Sequence, residues 1–386
     1  MLKELTIMDN TLREGEQTVG VVFNKEAKTK LARLLDNAGI DFIEAGFPAV
    51  SKEEMEMVKH ITHLGLRAKI MGLARTTKED IDLVIESGCD GVTFFIPTSE
   101  ILIQSKKIEL TKKDIIQQAV ESVTYAKKNN LFVAFGAEDS TRTDADFLFN
   151  LYDEVSNAGA DAIAIVDTVS QLNPITTYEI VHRYKARYTE SILSVHLHND
   201  YGLATANAVA AIIAGADQIQ TTINGLGERA GSPSLQETVM AANMLTPFKF
   251  NNIKTNLFCE MSRAIEEFSG IKTYPLKPIV GDYAFAHESG LHASSVLNNP
   301  LSYEIFDPAI VGNERKFFIG KHSGKKILAH ILDTEFGITD IKECDMKVIT
   351  EEVKKMSSEE GKSLSSRTLL EIYEKNVNEK HSEKEK

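Results

Sequence analysis

Eight short apolar segments recur along the first 222 residues, and amphipathic stretches separate them. That rhythm restricts the fold more than any other feature of the chain. The segments are residues 5–8, 42–45, 68–73, 91–96, 131–135, 162–166, 194–197 and 218–222. A short apolar run closed by polar residues and glycine reads as a strand buried on both faces of a parallel sheet. Between the runs, Lys25 to Ala38 sets Ala27, Leu31, Leu34, Leu35 and Ala38 on one face at helical spacing, with Gly39 as a stop. Residues 112–128, 144–158, 176–187 and 205–214 read as further helices. The pairs Ala38-Gly39, Ala158-Gly159 and Ala214-Gly215 mark helix ends that feed the next strand. Eight such units close a TIM (β/α)8 barrel. A doubly wound open sheet is the structural alternative, but it usually carries a Gly-rich dinucleotide turn after the first strand, and none is present here.

The barrel is expected over residues 1–250, since the βα rhythm stops around Thr246 to Asn252. A smaller, mainly helical region then spans 256–375, and 376–386, almost wholly Lys, Glu, Asn, Ser and His, reads as a flexible tail. The expected class is therefore α/β, a TIM barrel followed by a helical C-terminal region. At 386 residues the chain has room for both, because such barrels run to about 250 residues as one unit. A formal net charge of -13 argues against a phosphate-binding surface for nucleic acid. Three scattered cysteines, Cys89, Cys259 and Cys344, exclude a zinc-thiolate spacing and a disulfide framework and suit a reducing cytoplasm. No apolar run reaches membrane-spanning length, and the N-terminus passes straight into the first expected strand, so neither secretion nor membrane insertion is expected.

The first strand delivers Asp9, Arg13, Glu14 and Glu16 into a turn, Asp9-Asn10-Thr11-Leu12-Arg13-Glu14-Gly15-Glu16-Gln17. In a barrel of this kind the C-terminal ends of the strands carry the catalytic groups. A salt-bridged turn beside the next helix is the plainer reading of the same charges. At the end of the seventh segment, His196 and His198 stand two apart and so face the same way on a strand. Two imidazoles and the carboxylate of Glu14 make a divalent-metal site with open positions; two hydrogen-bonded core histidines are the bland alternative. The same donor set is the facial triad of non-haem iron oxygenases, although those are usually built on a double-stranded β-helix.

The turn resembles the N-terminal signature Asp-Thr-Thr-Leu-Arg-Asp-Gly-Glu-Gln of the metal-dependent condensing and lyase enzymes built on a TIM barrel, which include isopropylmalate, citramalate and homocitrate synthases. Here Asn10 replaces a Thr, and Glu14 replaces the Asp that binds metal. The resemblance continues through Asn224-Gly225-Leu226-Gly227-Glu228-Arg229-Ala230-Gly231, through Val280 to His292 and through Gly320 to Gly324. It implies a divalent metal (Mg, Mn or Zn) on Glu14, His196 and His198, with acetyl-CoA as co-substrate and a 2-oxo acid as acceptor. It further implies Arg13 as stabiliser of the developing alkoxide, Glu138 and His292 in proton transfer with Tyr303 beside them, and Gln17, Arg75 and Thr168 in substrate binding. The positions of His292 and Tyr303 reach into the neighbouring subunit in the family, which implies a homodimer with an exchanged C-terminal lid. His287 and His322 are left outside the chemistry as hydrogen-bonding residues of that lid. The chain ends without the C-terminal regulatory domain of full-length isopropylmalate synthases, so leucine feedback by that route is not expected.

Ser232 stands where isopropylmalate and citramalate synthases typically carry an Asn ligand, and the pair Glu14 and Ser232 resembles homocitrate synthases. Against the lysine-pathway members, Ala134 occupies the position of an Arg that grips the distal carboxylate of 2-oxoglutarate. Residues 133–139 and 299–308 resemble more the homocitrate synthases associated with nitrogen fixation. No apolar pocket for a branched 2-oxo acid is legible. The expected activity is homocitrate formation from 2-oxoglutarate, with isopropylmalate, citramalate or phosphonomethylmalate synthesis as alternatives, and an iron oxygenase or a non-catalytic metal-binding barrel as readings of another class.

Overall fold

A computed structural model describes residues 5–384, with side chains as far as Val377. Eight parallel strands form a closed barrel in chain order: β1 (Thr6–Asp9), β2 (Phe42–Gly46), β3 (Lys69–Arg75), β4 (Gly91–Pro97), β5 (Phe132–Glu138), β6 (Ala162–Asp167), β7 (Ile192–Leu197) and β8 (Gln218–Thr221). Closure is made by β1, whose Met8 lies opposite Phe42 of β2 on one side and Gln220 of β8 on the other. Met8, Phe42, Met71, Ala134 and Ala162 fill the interior as one buried cluster with Phe132 and Ile192 against it.

The eight expected segments all became strands. Two run two or more residues past the end of the apolar pattern: β3 ends on Arg75 and β5 on Glu138, because ladder pairing with β4 continues to Phe95 and Pro97 whatever the side chain. The helices α1 (Lys25–Ala38), α2 (Lys52–Thr62), α3 (Lys78–Glu86), α4 (Glu100–Ser105), α5 (Lys112–Lys128), α6 (Ala145–Asn157), α7 (Pro174–Arg187), α8 (Ala204–Ala214) and α9 (Leu235–Leu245) surround the barrel. Their starts follow from capping side chains: Asn24, Ser51, Thr77, Ser99, Thr111, Asp144 and Asn173 each accept a first-turn backbone N–H.

The chain divides into two compact units at Thr273 and Tyr274 rather than between 250 and 256. Helix α10 (Phe258–Ser269) goes with the barrel: Phe258, Met261 and Ile265 are buried, and Glu267 pairs with Lys30 of α1 at 3.2 Å. The second unit holds α11 (Gly290–Asn298), α12 (Lys325–Phe336), α13 (Glu343–Glu360) and α14 (Ser366–Lys384), with two short parallel strands, β9 (Ala286–His287) and β10 (Lys316–Phe317). Its own core gathers Ile319, Ile327, Leu328, Ile331, Ile349 and Leu369. The expected tail is helical backbone as far as Lys384, since Leu369 and Ile372 anchor α14 in that core; Glu385 and Lys386 lie outside the described residues. Among the described residues no helix is long and apolar enough to cross a membrane.

Candidate active site

The opening turn is a single tight loop on one carbonyl. The oxygen of Asn10 accepts the backbone N–H groups of Arg13, Glu14 and Gly15 at 3.1, 2.7 and 3.2 Å, and a short 3-10 turn, Gly15–Gln17, follows. Asp9 Oδ1 accepts the N–H of Thr11 at 2.9 Å, and the Thr11 hydroxyl accepts the N–H of Ile223 at 2.8 Å, which ties the turn to the loop after β8. Glu16 points away, to the fully buried ammonium of Lys28 at 2.8 Å, which also holds Glu54 of α2 at 2.9 Å. Arg13, Glu14 and Gln17 are thereby turned to the barrel mouth.

There they line a cavity of about 290 Å³ together with His196, His198, Glu138, Thr168 and residues sequence reasoning had not singled out. Arg13 donates Nε to Glu44 at 2.7 Å and Nη1 to Gln17 at 3.1 Å, and it also pairs with Glu14. Burial works against the Arg13 charge, but Glu44 and Glu14 more than offset it and hold the guanidinium above its ordinary pKa. Burial likewise opposes the charge on Glu14, yet Arg13, the two imidazoles and the Glu228 N–H at 3.0 Å bring its pKa down to about 2. Both imidazoles are pushed down to about 4: His196 by burial, His198 by burial and then by His196, whose ring centroid is 5.0 Å away. The wall thus presents one ionised carboxylate and two neutral imidazoles.

Among the described residues no three His, Cys, Asp or Glu side chains stand in an arrangement ready for a metal ion; Glu14 gives its two oxygens to Arg13 and to the Glu228 amide. The donors themselves fit one. Divalent cations take deprotonated carboxylate and neutral imidazole. His198 Nδ1 and Ser232 Oγ are buried with no hydrogen-bond partner. A Cβ at Gly227 would lie 2.9 Å from Ser232 Oγ and 3.2 Å from Glu14 Oε1, so that glycine keeps the space between them open.

The remaining expected residues fall in three places. Glu138 lines the cavity and is held by Lys106 at 2.6 Å. Thr168 lines it too, its hydroxyl accepting the N–H of Asp139 at 2.9 Å and its carbonyl accepting Arg229 at 2.7 Å. Arg75 does not line it: its guanidinium is held by both oxygens of Asp80 at 2.8 Å, at the start of α3. His292 and Tyr303 belong to the second unit, where their rings lie 4.2 Å apart. In the same unit Glu304 accepts two Arg315 contacts, at 2.7 and 2.5 Å, and lies 3.1 Å from His287.

Sequence reasoning missed Glu44 and Arg229. Glu44 is fully buried inside β2, and its signal was a lone acid in an apolar run. Arg229 sits at φ 55°, a left-handed turn that aims it at Asp200, whose two oxygens accept it at 2.9 Å. An apolar wall was missed as well, because Phe47, Leu73, Phe95, Ala164 and Val166 come from separate segments.

Residues 4–267 match the family described as HMGL-like, and residues 279–361 match the homocitrate synthase post-HMGL domain-like family. The chain belongs to the HMGL-like family. This HMGL-like protein is 42% identical to the homocitrate synthase AksA of Methanocaldococcus jannaschii, over 97% of its own length and 91% of the relative's. It is 41% identical to the 2-isopropylmalate synthase of Sulfurisphaera tokodaii, over 96% and 95% of the two chains. Among solved structures, the hydroxymethylglutaryl-CoA lyase of Pseudomonas aeruginosa superposes with a TM-score of 0.60 at 19% identity, covering 77% of this chain and 98% of that one. The HMG-CoA lyase of Brucella melitensis gives 0.60 at 16% identity over 70% and 100%. At such identities the likeness concerns the barrel alone.

Proposed function

We propose that this HMGL-like enzyme adds the methyl carbon of acetyl-CoA to the 2-oxo carbon of 2-oxoglutarate and releases homocitrate and CoA. The observation that carries it is the convergence of a fixed guanidinium, an ionised carboxylate and two neutral imidazoles on one cavity, in a chain whose near-full-length relatives include homocitrate synthases. Glu14, His196 and His198 would hold the family's divalent metal, with the Ser232 hydroxyl beside them. Bound there, the cation supplies Lewis acidity to the 2-oxo carbonyl.

Every other task falls to side chains. Arg13, locked by Glu44, stabilises the oxyanion as the carbonyl becomes an alkoxide. Glu138 and His292 act in removing the methyl proton, with the Tyr303 ring 4.2 Å from the imidazole. The new carbon–carbon bond forms as the carbonyl π bond breaks; the alkoxide then takes a proton, and water cleaves the thioester to carboxylate and thiol. Thr168 and Gln17 orient the 2-oxo acid. For His292 to take part, we propose a homodimer in which the second unit of one copy covers the barrel of the other. Support comes from the apolar side chains that unit exposes, Leu291 at 81%, Leu301 at 70% and Ile305 at 71%. Three free cysteines agree with a cytoplasmic setting.

The apolar wall favours a second reading. Both cations on the cavity are already paired, Arg13 with Glu44 and Glu14 and Arg229 with Asp200, so a branched apolar 2-oxo acid would meet Leu73, Phe95 and Val166 without displacing an ion pair. That product would be 2-isopropylmalate. The experiment is a kcat/KM panel of 2-oxoglutarate, 2-oxoisovalerate, pyruvate, oxaloacetate and phosphonopyruvate with acetyl-CoA. A lead for 2-oxoglutarate supports the homocitrate reading; a tenfold lead for 2-oxoisovalerate, about 1.4 kcal/mol in the transition state, replaces it. Oxygen uptake with ferrous iron in place of thiol release would return the oxygenase, and a folded protein with neither would be a binding barrel.

A further inference from the structure

We propose that the side chains of Asn10 and Gln220 form an amide relay that couples the imidazole wall of the site to its guanidinium wall, making both residues positioning residues. The inference rests on the reading that Glu14, His196 and His198 hold a divalent cation. Gln220 faces inward from β8 and is 5% exposed; Asn10, one residue beyond β1, is 1% exposed. The Gln220 side chain lines the cavity beside the His196 ring, and its Nε2 donates to Ser194 at 3.2 Å. Its Oε1 accepts Asn10 Nδ2 at 3.4 Å. The same Nδ2 donates to Glu44 Oε2 at 2.5 Å, and that oxygen is the one that accepts Arg13 Nε at 2.7 Å. From Gln220, beside His196, hydrogen bonds thus run without a break through Asn10 and Glu44 to Arg13 inside the barrel.

Donor and acceptor types fix its direction. Glu44 can only accept when ionised, and the Gln220 carbonyl can only accept, so the amide of Asn10 must turn its NH2, with two hydrogens, toward both. A hydroxyl has one hydrogen and a shorter reach. The Thr common at this position in the family could serve Glu44 but not Glu44 and Gln220 together. A metal-binding imidazole is oriented through its other ring nitrogen, and losing such a partner typically costs ten- to a hundredfold in metal affinity. In this relay the orientation of His196 and that of Arg13 are set jointly. The Asn10–Gln220 link is the longest of the three hydrogen bonds, so the test is placed on it.

The variants are Asn10→Leu, Gln220→Leu, the double variant, and Asn10→Thr in case a buried leucine prevents folding. Each is titrated with Mn2+ alone, free ion being read by its paramagnetic resonance signal, after circular dichroism and thermal melting have established the fold. Asn10→Leu and Asn10→Thr keep the main-chain carbonyl that holds Glu14, yet they should bind Mn2+ about tenfold more weakly than the wild type although the Asn10 side chain touches no proposed ligand, and so should Gln220→Leu. The double variant should be no more than twofold weaker than the worse single one, because residues in one chain of contacts do not act additively. Wild-type affinity in folded Asn10→Thr and Asn10→Leu, or losses that multiply in the double variant, overturn the relay and leave the metal reading standing. A wild-type protein that takes up no Mn2+ overturns the metal reading and the relay with it.

Discussion

Replacing Glu44 by Gln should remove most of the turnover and little of the fold. The carboxylate is fully buried, and one of its oxygens accepts both Arg13 at 2.7 Å and Asn10 at 2.5 Å. Glutamine keeps the volume but offers one neutral acceptor oxygen, and its NH2 faces donors if it turns the wrong way. A hydrogen bond to a charged group is worth about 1.5–3 kcal/mol net. If that loss falls on the transition state, where Arg13 meets the developing alkoxide, kcat drops roughly ten- to hundredfold. The fold should survive, because Arg13 keeps the ionised Glu14 as a partner and is not left as an uncompensated buried charge. The assay is thiol release from acetyl-CoA with saturating 2-oxoglutarate and Mn2+, with the melting temperature measured alongside. A kcat within threefold of wild type would show that the Glu44–Arg13 pair is structural and that the role given to Arg13 is wrong.

Lys28→Met should destabilise the protein by about 3 kcal/mol or more, since it leaves Glu16 and Glu54 without their shared buried cation, and urea unfolding measures it. Glu14→Ala and His292→Ala, each inactive, should regain activity when their subunits are exchanged, and no recovery after proven exchange would refute the swapped lid. Asp9 is fully buried, and desolvation raises its pKa from 3.8 to about 7. The folded state therefore holds a proton there that the unfolded state loses, so this contribution to stability is complete below 3.8 and lost as pH rises through about 7. Asp9→Asn, which can still accept the Thr11 N–H, should melt like wild type at pH 4 and higher than wild type at pH 8, and equal shifts at both values would contradict that sign.

The barrel was legible because a strand buried on both faces must be an apolar run, and because helix ends announce themselves: α1 lies where its apolar stripe put it, between the Asn24 cap and Gly39. Arg13, Glu14, His196 and His198 were legible because each closes such a run with a charge or an imidazole. Glu44 was not, since inside β2 it interrupts an otherwise apolar strand and its partner Arg13 is 31 residues away. Arg75 sits at a strand end like Glu138, and only the fold reveals that Asp80, five residues on, has taken it from the cavity. The apolar wall is assembled from distant segments, which no local pattern records. The boundary at Thr273 was missed because α10 looks like the helices that follow it, and only its packing assigns it to the barrel.

Homocitrate formation is read directly by incubating the enzyme with methyl-labelled [2-13C]acetyl-CoA, 2-oxoglutarate and a divalent metal, and identifying the product by mass spectrometry and carbon NMR. One equivalent of labelled homocitrate per thiol released is the expected result, dependent on the metal and abolished by chelation. Labelled 2-isopropylmalate formed instead when 2-oxoisovalerate is supplied, with no homocitrate from 2-oxoglutarate, would contradict it.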